Sequence, residues 1–306
     1  MTTKVFGHKA PDTDSTGSPI IWAWYLNEVK GVPATPVLLG EPNTEAAFVL
    51  KHWDLAKPEI ISGVEAGEKV VIVDTNNPAE LPEGINKADI TAIIDHHKLV
   101  GGLETKGPID ITIRPLACTA TIMYDLMGED VKKAPRGIKG AMLSCILSDT
   151  LEFRSPTTTA HDKAVCEALA ADLGVSINEL ASAMFEAKSD VSEFSDAALL
   201  RMDSKEYNVD GTELRVSVLE TTAPKLILDR KASLMASMVD VAKEDGADQV
   251  LLFVVDILNE EATLLVPNDL VKKIAEASFG CTVEGDTVVL PGVMSRKKQI
   301  IPALKV

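Results

Sequence analysis

The sequence has few aromatic residues and too little positive charge to balance its acidic side chains. Phe, Trp and Tyr make up 4% of the 306 residues, and 30 lysines and arginines stand against 46 aspartates and glutamates, for a formal net charge of −16. A surface that binds nucleic acid or an anionic membrane needs a basic footprint, so we expect neither partner. A small phosphate compound is not excluded, because divalent metals and a local cationic cluster can reverse the field inside one cleft.

Cysteines and long apolar runs are also scarce. No apolar run reaches the ~18 residues that span a bilayer, and the chain begins with a predicted strand rather than a signal peptide. The four cysteines lack a Cys-x2-Cys pair and lie within apolar segments. They are typical of buried thiols in a reducing compartment, not of disulfides or zinc ligands. We therefore expect a cytoplasmic protein. The cysteines are Cys118, Cys145, Cys166 and Cys281.

A cluster of potential metal ligands follows the first predicted strand. The apolar run Val5–Gly7 is followed by one imidazole and two carboxylates, which belong to His8, Asp12 and Asp14. A hydroxyl residue in the following segment, 15–19, can cap the helix that comes next, which predicts that all three side chains lie on a strand-to-helix loop. In an open α/β sheet such loops lie at the carboxyl edge, where ligands bind. Imidazole and carboxylate suit divalent transition metals, although Asp is also common in ordinary turns.

Similar polar ends recur at three later segments. A continuous apolar strand over 69–73 is predicted to be buried on both faces. Chance produces one such terminus easily, but four segments that deliver three histidines and five aspartates favour a metal site over ordinary polar loops. The later segments end at Asp74, at Asp95 with His96 and His97, and at Asp149, which follows a helical run over 141–147.

The first two-thirds of the chain alternates strands and helices. This order predicts an α/β fold with a mostly parallel sheet and helices on both faces. A strand over 34–39 contains Pro36, which favours an edge position. Further strands are expected over 90–94 and 109–113. Helices are predicted over 44–52, 118–127, 135–147, 159–173 and 177–187.

A polar segment that begins at Lys188 separates this region from a smaller one. We predict a metal-binding catalytic domain over 1–188, a hinge linker over 189–195, and a C-terminal α/β lid domain with a mixed sheet over 196–306. In the lid domain, a helix over 196–202 precedes strands over 205–207 and 213–219, joined by an Asn208–Gly211 turn. A long helix over 226–243, strands over 250–256 and 262–266, a helix over 270–278, and strands over 287–290 and 299–301 follow.

The second predicted domain contributes cationic side chains. Lys205 follows the first helix of that domain, and Arg296 and Lys297 follow a Pro-Gly turn near the C-terminus. A lone lysine is most often a solvated surface residue. However, the Arg-Lys-Lys run precedes an apolar segment that can anchor it. A protein with metals in one domain needs cations in the other to hold an anionic substrate.

These motifs resemble those of a known family. They match the family II, manganese-dependent inorganic pyrophosphatases, which belong to the phosphoesterase superfamily named for its Asp-His-His motif. The resemblance runs the whole length of the chain, in the family's order. Asp-His-His alone indicates only the superfamily, whereas Ser-Arg-Lys-Lys together with Lys205 indicates the pyrophosphatase branch. The matching segments are Gly7–Ser15, Val73–Asn76, Asp95–Lys98, Ser148–Thr150 and Ser295–Gln299.

The resemblance implies a role for each matching residue. It implies hydrolysis of pyrophosphate to two orthophosphates by cytoplasmic homodimers whose C-terminal domain acts as a lid, with two Mn²⁺ per subunit and Mg²⁺ entering with the substrate. A regulatory nucleotide-binding insertion is absent, because only about fifty residues separate His97 from Asp149. Glu152 stands where the family would have an apolar residue. The implied metal ligands are His8, Asp12, Asp14, Asp74, His96 and Asp149, and the implied catalytic and substrate-binding residues are His97, Lys205, Arg296 and Lys297.

The chemistry of the residues agrees with this reaction. Two metals ~3.5–4 Å apart can hold a bridging hydroxide as nucleophile. Six protein ligands are few for two octahedral shells, so we expect one carboxylate to be shared, with open positions left for water and substrate oxygens. Asp74 is our first choice for the shared carboxylate, with Asp149 second. Mixed His and carboxylate ligation favours Mn²⁺ or Co²⁺ over Mg²⁺ and Zn²⁺. We expect Asp95 to orient a histidine and His97 to donate to the substrate phosphate.

Two other functions fit part of the pattern. One is a related phosphoesterase acting on polyphosphate, short oligonucleotides or cyclic dinucleotides, although the C-terminal half offers Lys and Arg with little aromatic surface for stacking bases. The other is a metal-dependent regulator without catalytic activity, which would bind metal without turnover.

Overall fold

Strands and helices alternate through the first part of the structure, a computed structural model that describes residues 2–306. The chain divides into two units, one ending at Lys188 and one beginning at Ser189. Over its described residues, 2–188, the first unit contains six strands: β1 (Thr3–Phe6), β2 (Ala34–Leu38), β3 (Glu59–Ile60), β4 (Lys69–Val73), β5 (Asp89–Asp95) and β6 (Asp110–Ile113).

These six strands form one sheet in the order β3-β2-β1-β4-β5-β6, and every pair is parallel. The predicted α/β fold is thereby confirmed. Consecutive residues of β4, from Val70 to Val73, are 0–3% exposed, so both faces of this strand are covered. The strand order reverses at β1, between β2 and β4. A crevice at the carboxyl ends of β1 and β4 is therefore the expected ligand site.

The expectation that Pro36 marks an edge strand is wrong. Strand β2 lies between β1 and the two-residue strand β3. Pairing with β3 begins at Val37, one residue after the proline, so the hydrogen bonds to β3 do not require an N–H from Pro36.

In the described part of this unit, six helices accompany the sheet, with short 3-10 segments at Pro78–Glu80, Ile85–Lys87 and Gly128–Lys133. Their positions agree with the sequence predictions to within a few residues, except that the first helix begins earlier than expected. The helices are α1 (Thr13–Glu28), α2 (Thr44–His52), α3 (Thr119–Met127), α4 (Arg136–Thr150), α5 (Ala160–Leu173) and α6 (Ile177–Lys188).

The start of α1 corrects the predicted cap. The Asp12 carboxylate, not a hydroxyl residue in 15–19, caps the helix by accepting a hydrogen bond from the Ser15 backbone N–H at 2.9 Å. Ser15 instead turns its hydroxyl toward the preceding strand and accepts from the His8 backbone N–H. Asp14 therefore lies in the first turn of α1 rather than on the loop.

The second unit has a mixed five-stranded sheet in the order β11-β10-β9-β8-β7, as predicted. Strands β8 and β9 are parallel and the other pairs are antiparallel. The elements are α7 (Asp196–Met202), β7 (Ser204–Val209), β8 (Thr212–Thr221), α8 (Pro224–Leu228), α9 (Lys231–Asp245), β9 (Gln249–Asp256), β10 (Glu261–Leu265), α10 (Asp269–Phe279), β11 (Thr287–Pro291) and α11 (Ile301–Ala303).

Two predictions for this unit are wrong. The helix expected over 226–243 is interrupted at Arg230, which leaves helical geometry and whose guanidinium donates to the carbonyls of Val191 and Phe194. The strand expected over 299–301 is helical. The Gln299 side chain accepts from Met294 N–H and donates to the Gly292 carbonyl, which folds this segment back on the preceding turn.

Within residues 2–306, no helix combines the length and the apolar character that crossing a bilayer requires.

Candidate active site

The carboxyl ends of β1, β4 and β5 bring histidines and aspartates together around one carboxylate. Asp74 directly follows β4 and is 1% exposed. Its Oδ2 lies 3.5 Å from His8 Nε2, and its Oδ1 lies 3.3 Å from His96 Nε2. One carboxylate thus presents a separate oxygen to each of two imidazoles.

Close packing explains the glycine before His8. The His8 backbone N–H donates to Ser15 Oγ at 2.7 Å. A Cβ at Gly7 would stand 1.9 Å from that same oxygen, so any larger residue would displace Ser15. The glycine therefore lets the strand approach the start of α1, which places His8 beside the aspartates of that helix.

Asp14 is held from two sides. Its Oδ1 accepts from the Ser18 hydroxyl at 2.6 Å, and its Oδ2 accepts from the Thr119 backbone N–H at 2.8 Å. The Thr119 hydroxyl also donates to Asp74 Oδ1 at 3.2 Å. The first turn of α3 therefore fixes the two carboxylates relative to each other.

The donor atoms fall into three overlapping groups, in each of which the candidate ligand atoms lie within 4.8 Å of one another. Asp74 belongs to two groups and His96 to two. Together the groups contain all six predicted metal ligands and also His97. The groups are His8 with Asp12 and Asp74, Asp14 with His96 and Asp149, and Asp74 with His96 and His97.

The electrostatics of this cluster favour a bound cation. Burial and the charges of Asp14 and Asp12 raise the pKa of Asp74 well above its usual value. Burial and the charges of Asp14 and Asp74 do the same to the pKa of Asp149. Asp149 Oδ2 is also buried and has no hydrogen-bond partner among the described residues. The residues present therefore fit divalent metal ions, which would give that oxygen a partner and displace the protons.

His8 and Asp12 form an ion pair at the rim of the cluster. Burial opposes the charged forms of both. Nevertheless, the Asp12 carboxylate, whose Oδ2 lies 3.7 Å from His8 Nε2, raises the pKa of His8, with the charge of Asp74 acting in the same direction. The His8 imidazole, with the Ser15 N–H, lowers the pKa of Asp12.

The side chains of the Asp-His-His segment contact different partners. His96 Nδ1 lies 3.2 Å from the Leu116 carbonyl, so Nδ1 carries the proton in that contact and Nε2 is left to face Asp74. His97 Nδ1 lies 2.9 Å from Asp95 Oδ1, and its side chain is half exposed. That hydrogen bond to Asp95, opposed by burial, raises the pKa of His97.

Two contributors at this site were missed from the sequence. Asn76 donates to Asp95 Oδ2 at 2.5 Å and accepts from the Val100 N–H at 2.7 Å, which ties the loop after β5 to the end of β4. Thr119 reaches Asp14 and Asp74. An Asn two residues after a candidate ligand was an available signal for the first. Nothing in the sequence marks Thr119, because its contact with Asp14 spans 105 positions.

The cationic residues lie in the second unit, where they line one pocket. Lys205 on β7 and Arg296 and Lys297 near the C-terminus share this pocket with Tyr207 and Glu220. Arg296 is partly engaged, since its Nη2 lies 2.7 Å from Asp203 Oδ1 and its Nη1 donates to the Asp203 carbonyl. The structure thus brings together the three cations singled out in the sequence, in the unit that lacks the metal-ligand candidates.

Comparisons with known proteins cover both units. Residues 2–149 match the family model described as "DHH family, N-terminal domain", and residues 182–306 match the "DHHA2 domain". A "probable manganese-dependent inorganic pyrophosphatase" of Deinococcus radiodurans is 40% identical over 307 residues, covering 98% of this chain and 97% of that protein. The chain belongs to the manganese-dependent inorganic pyrophosphatases.

Further comparisons agree with membership of this pyrophosphatase family. A relative of the same description from Lactobacillus acidophilus is 34% identical over 98% of this chain and 96% of its own. A crystal structure of a "putative family II inorganic pyrophosphatase" from Methanococcus jannaschii is 33% identical, with a TM-score of 0.61 and 98% of both chains covered. An exopolyphosphatase-related protein of Bacteroides fragilis is 11% identical with a TM-score of 0.52 over 98% of this chain and 89% of its own, which shows a shared fold alone. The resemblance seen in the sequence motifs is confirmed, and the chain is an enzyme of the inorganic diphosphatase class.

Proposed function

We propose that the protein hydrolyses pyrophosphate to two orthophosphates at a centre of two Mn²⁺ ions held by the first unit. This proposal rests on the position of the Asp74 carboxylate, whose two oxygens face different histidines: Oδ2 faces His8 and Oδ1 faces His96. A single carboxylate between two groups of ligands is the arrangement that a two-metal site needs. When bound, the metals supply a hydroxide nucleophile and neutralise phosphate charge. The proposed ligands are His8, Asp12, Asp14, Asp74, His96 and Asp149.

His97 is the proposed donor to the substrate. Its Nδ1 is engaged by Asp95, which leaves Nε2 on a half-exposed ring. A raised pKa favours the protonated form, in which Nε2 also carries a proton. The Asp95 carboxylate therefore orients and charges the imidazole for donation to a phosphate oxygen.

Lys205, Arg296 and Lys297 are the proposed clamp on the two phosphates. Their shared pocket in the second unit supports a common anionic ligand. Because the proposed metal ligands belong to the first unit, the reaction requires the C-terminal lid domain, 196–306, to close over the substrate through a hinge at 189–195. Arg296 can offer its remaining donors to one phosphate, whereas Lys297 supplies a compact charge for the leaving group.

The identity of the metals, the cellular location and the oligomeric state are proposed from the family. Mn²⁺ is favoured because relatives are described as manganese-dependent, with Co²⁺ as a substitute of similar ligand preference and Mg²⁺ entering with the substrate. We also propose a cytoplasmic homodimer.

The direct test is phosphate release from pyrophosphate, tripolyphosphate and a dinucleotide, each with Mn²⁺ and with Mg²⁺. We expect rapid hydrolysis of pyrophosphate with Mn²⁺ and little release from the other two. Preference for the dinucleotide or for tripolyphosphate would assign the chain to another phosphoesterase activity, and Mn²⁺ binding without any turnover would indicate a regulator.

A further inference from the structure

A buried carboxylate outside the ligand cluster joins two of the elements that carry the ligands. Glu45, in the first turn of α2, is 0% exposed. Its Oε2 accepts from the Thr13 hydroxyl at 2.8 Å and from the Ser148 hydroxyl at 2.7 Å. The Lys188 ammonium, at the last residue of α6, lies 3.4 Å from the same oxygen.

Both hydroxyls belong to residues adjacent to proposed metal ligands. Thr13 lies between Asp12 and Asp14 at the start of α1, and Ser148 immediately precedes Asp149 near the end of α4. One oxygen of Glu45 therefore connects the beginning of one ligand-bearing helix to the end of the other.

Helix packing alone does not account for this carboxylate. Its second oxygen, Oε1, is buried without a hydrogen-bond partner. Its cationic neighbour Lys188 has a side chain 40% exposed to solvent, which weakens the compensation for burying a charge. An apolar side chain of similar size would remove this unmet oxygen, but it would leave the buried hydroxyls of Thr13 and Ser148 without the acceptor that they share. What the carboxylate adds is a pair of directional hydrogen bonds, one to each of two ligand-bearing helices.

We propose that Glu45 is a positioning residue for the metal centre, setting the start of α1 and the end of α4 in register so that Asp12, Asp14 and Asp149 face one site. This inference rests on the proposed metal assignment. Residues that orient metal ligands without touching the metal commonly change metal affinity or activity by about 10–100-fold when they are replaced.

A pair of matched threonine variants tests the proposal. Thr13→Val removes the hydroxyl that donates to Glu45. Thr121→Val removes another buried hydroxyl, which donates to Asp162 Oδ1 at 2.7 Å in the same unit. We expect both variants to lower the melting temperature, but only Thr13→Val to weaken Mn²⁺ binding, by about tenfold or more in calorimetric titration. Thr13→Ser, which keeps the hydroxyl, should restore the affinity.

Two further variants keep the test decisive if one protein fails to fold. Glu45→Gln and Ser148→Ala should each weaken Mn²⁺ binding at one or more sites. Wild-type Mn²⁺ affinity in the folded Thr13→Val and Ser148→Ala proteins, with only a lower melting temperature, would overturn the inference and leave the proposed function intact. A wild-type chain that binds no Mn²⁺ would overturn both.

Discussion

Asp74 leaves strand β4 with a φ of 57°, in the left-handed region that residues with side chains rarely adopt. Such a conformation costs about 1–3 kcal/mol and persists only where the surroundings impose it. Here the strained backbone aims a carboxylate between His8 and His96. At the scale of single residues, this position therefore combines backbone strain, burial and two imidazole neighbours.

Replacing Asp74 with Asn should preserve the fold and weaken metal binding. Asn tolerates the left-handed conformation and has nearly the same shape, but it removes the charge that two cations would share. We expect calorimetric titration to show at least one Mn²⁺ site weakened by 100-fold or more, on the order of 3 kcal/mol. Asp54→Asn is the matched control, since exposed Asp54 has a φ of 53° away from the cluster. Two unchanged high-affinity sites in the Asp74 variant would refute the assignment.

Lys297→Ala should reduce turnover without affecting the metals. Lys297 lines the cationic pocket of the second unit, whereas its neighbour Lys298 does not. Losing one electrostatic stabiliser lowers kcat/KM for pyrophosphate by about 10²–10³, whereas Mn²⁺ affinity should be unchanged. Steady-state kinetics should be measured for both alanine variants. We expect Lys298→Ala to stay near wild type, which would distinguish the two positions. Near-normal activity of Lys297→Ala would remove it from the proposed clamp.

The sequence predicted which residues gather at the site better than it predicted how they are held. His8, Asp74 and His96 each follow a strand of a parallel sheet, and strand ends converge at one edge whatever the loops do. Thr119 and Glu45 could not be found in this way. Thr119 lies 105 positions from Asp14, and Glu45 lies 103 positions from Ser148, so these contacts depend on tertiary packing rather than on local pattern.

At the scale of secondary-structure elements, α1 and α4 pack closely because Gly17 has no side chain. A Cβ at Gly17 would stand 2.4 Å from Cys145 Sγ on α4, whereas the other neighbours lie 4.0 Å away. Asp14 and Asp149 are carried by these same two helices. The spacing between the helices therefore bears on the site as well as on stability.

Gly17→Ala should destabilise the protein through this one contact. Overpacking of a tight core costs about 1–3 kcal/mol in the free energy of unfolding. Cys145→Ala removes the sulfur, so the double variant should recover part of the loss. Urea denaturation of the two single variants and the double variant gives a coupling free energy, which we expect to reach about 1 kcal/mol. Strictly additive effects would show that the clash is relieved elsewhere.

Elements with strong local signals were predicted closely, and those decided by single long-range contacts were not. The hairpin of β7 and β8 could be predicted because the sequence contains the Asn208–Gly211 turn between two segments typical of strands. The break between α8 and α9 depends instead on Arg230 reaching carbonyls more than thirty positions away. The apolar pattern on both sides of Arg230 remained compatible with one continuous helix.

At the scale of the whole molecule, the segment between His97 and Asp149 bears on regulation. In the structure this segment contains β6, α3, a 3-10 turn and most of α4, all parts of the first unit. The whole segment belongs to the first unit, so no separately folded unit is inserted within it.

Activity should therefore not respond to AMP. Pyrophosphate hydrolysis measured with and without AMP, at a free Mn²⁺ concentration fixed by a metal buffer, should give equal rates. ATP should act only by chelating metal, and added Mn²⁺ should reverse its effect. A clear AMP effect at fixed free Mn²⁺ would reveal a regulatory site outside the architecture described above.

Thiol reactivity provides a second test at this scale. Burial raises the pKa of Cys166 to about 12 and, together with the charge of Asp14, raises the pKa of Cys118 and Cys145 well above the usual value. Because the thiolate is the reactive form, these three should react slowly at pH 8. A disulfide reagent should label half-buried Cys281 first in the native protein and all four cysteines after unfolding. Cys281→Ser should remove the fast phase, and a fast phase that persists would contradict the burial of the others.

The central position of β1 affects how the chain is made as well as how it works. Strand β1 pairs with β4 as well as with β2, so its pairing on one side must wait for residues synthesised later. The hydrogen bond from Thr119 to Asp14 and the contact from Cys145 to Thr13 span 105 and 132 positions. Contacts this distant form late, because long loops must close before any stabilisation is gained. On the proposed assignment, Mn²⁺ therefore binds a first unit that is already assembled and stabilises it by mass action, without guiding the early steps of folding.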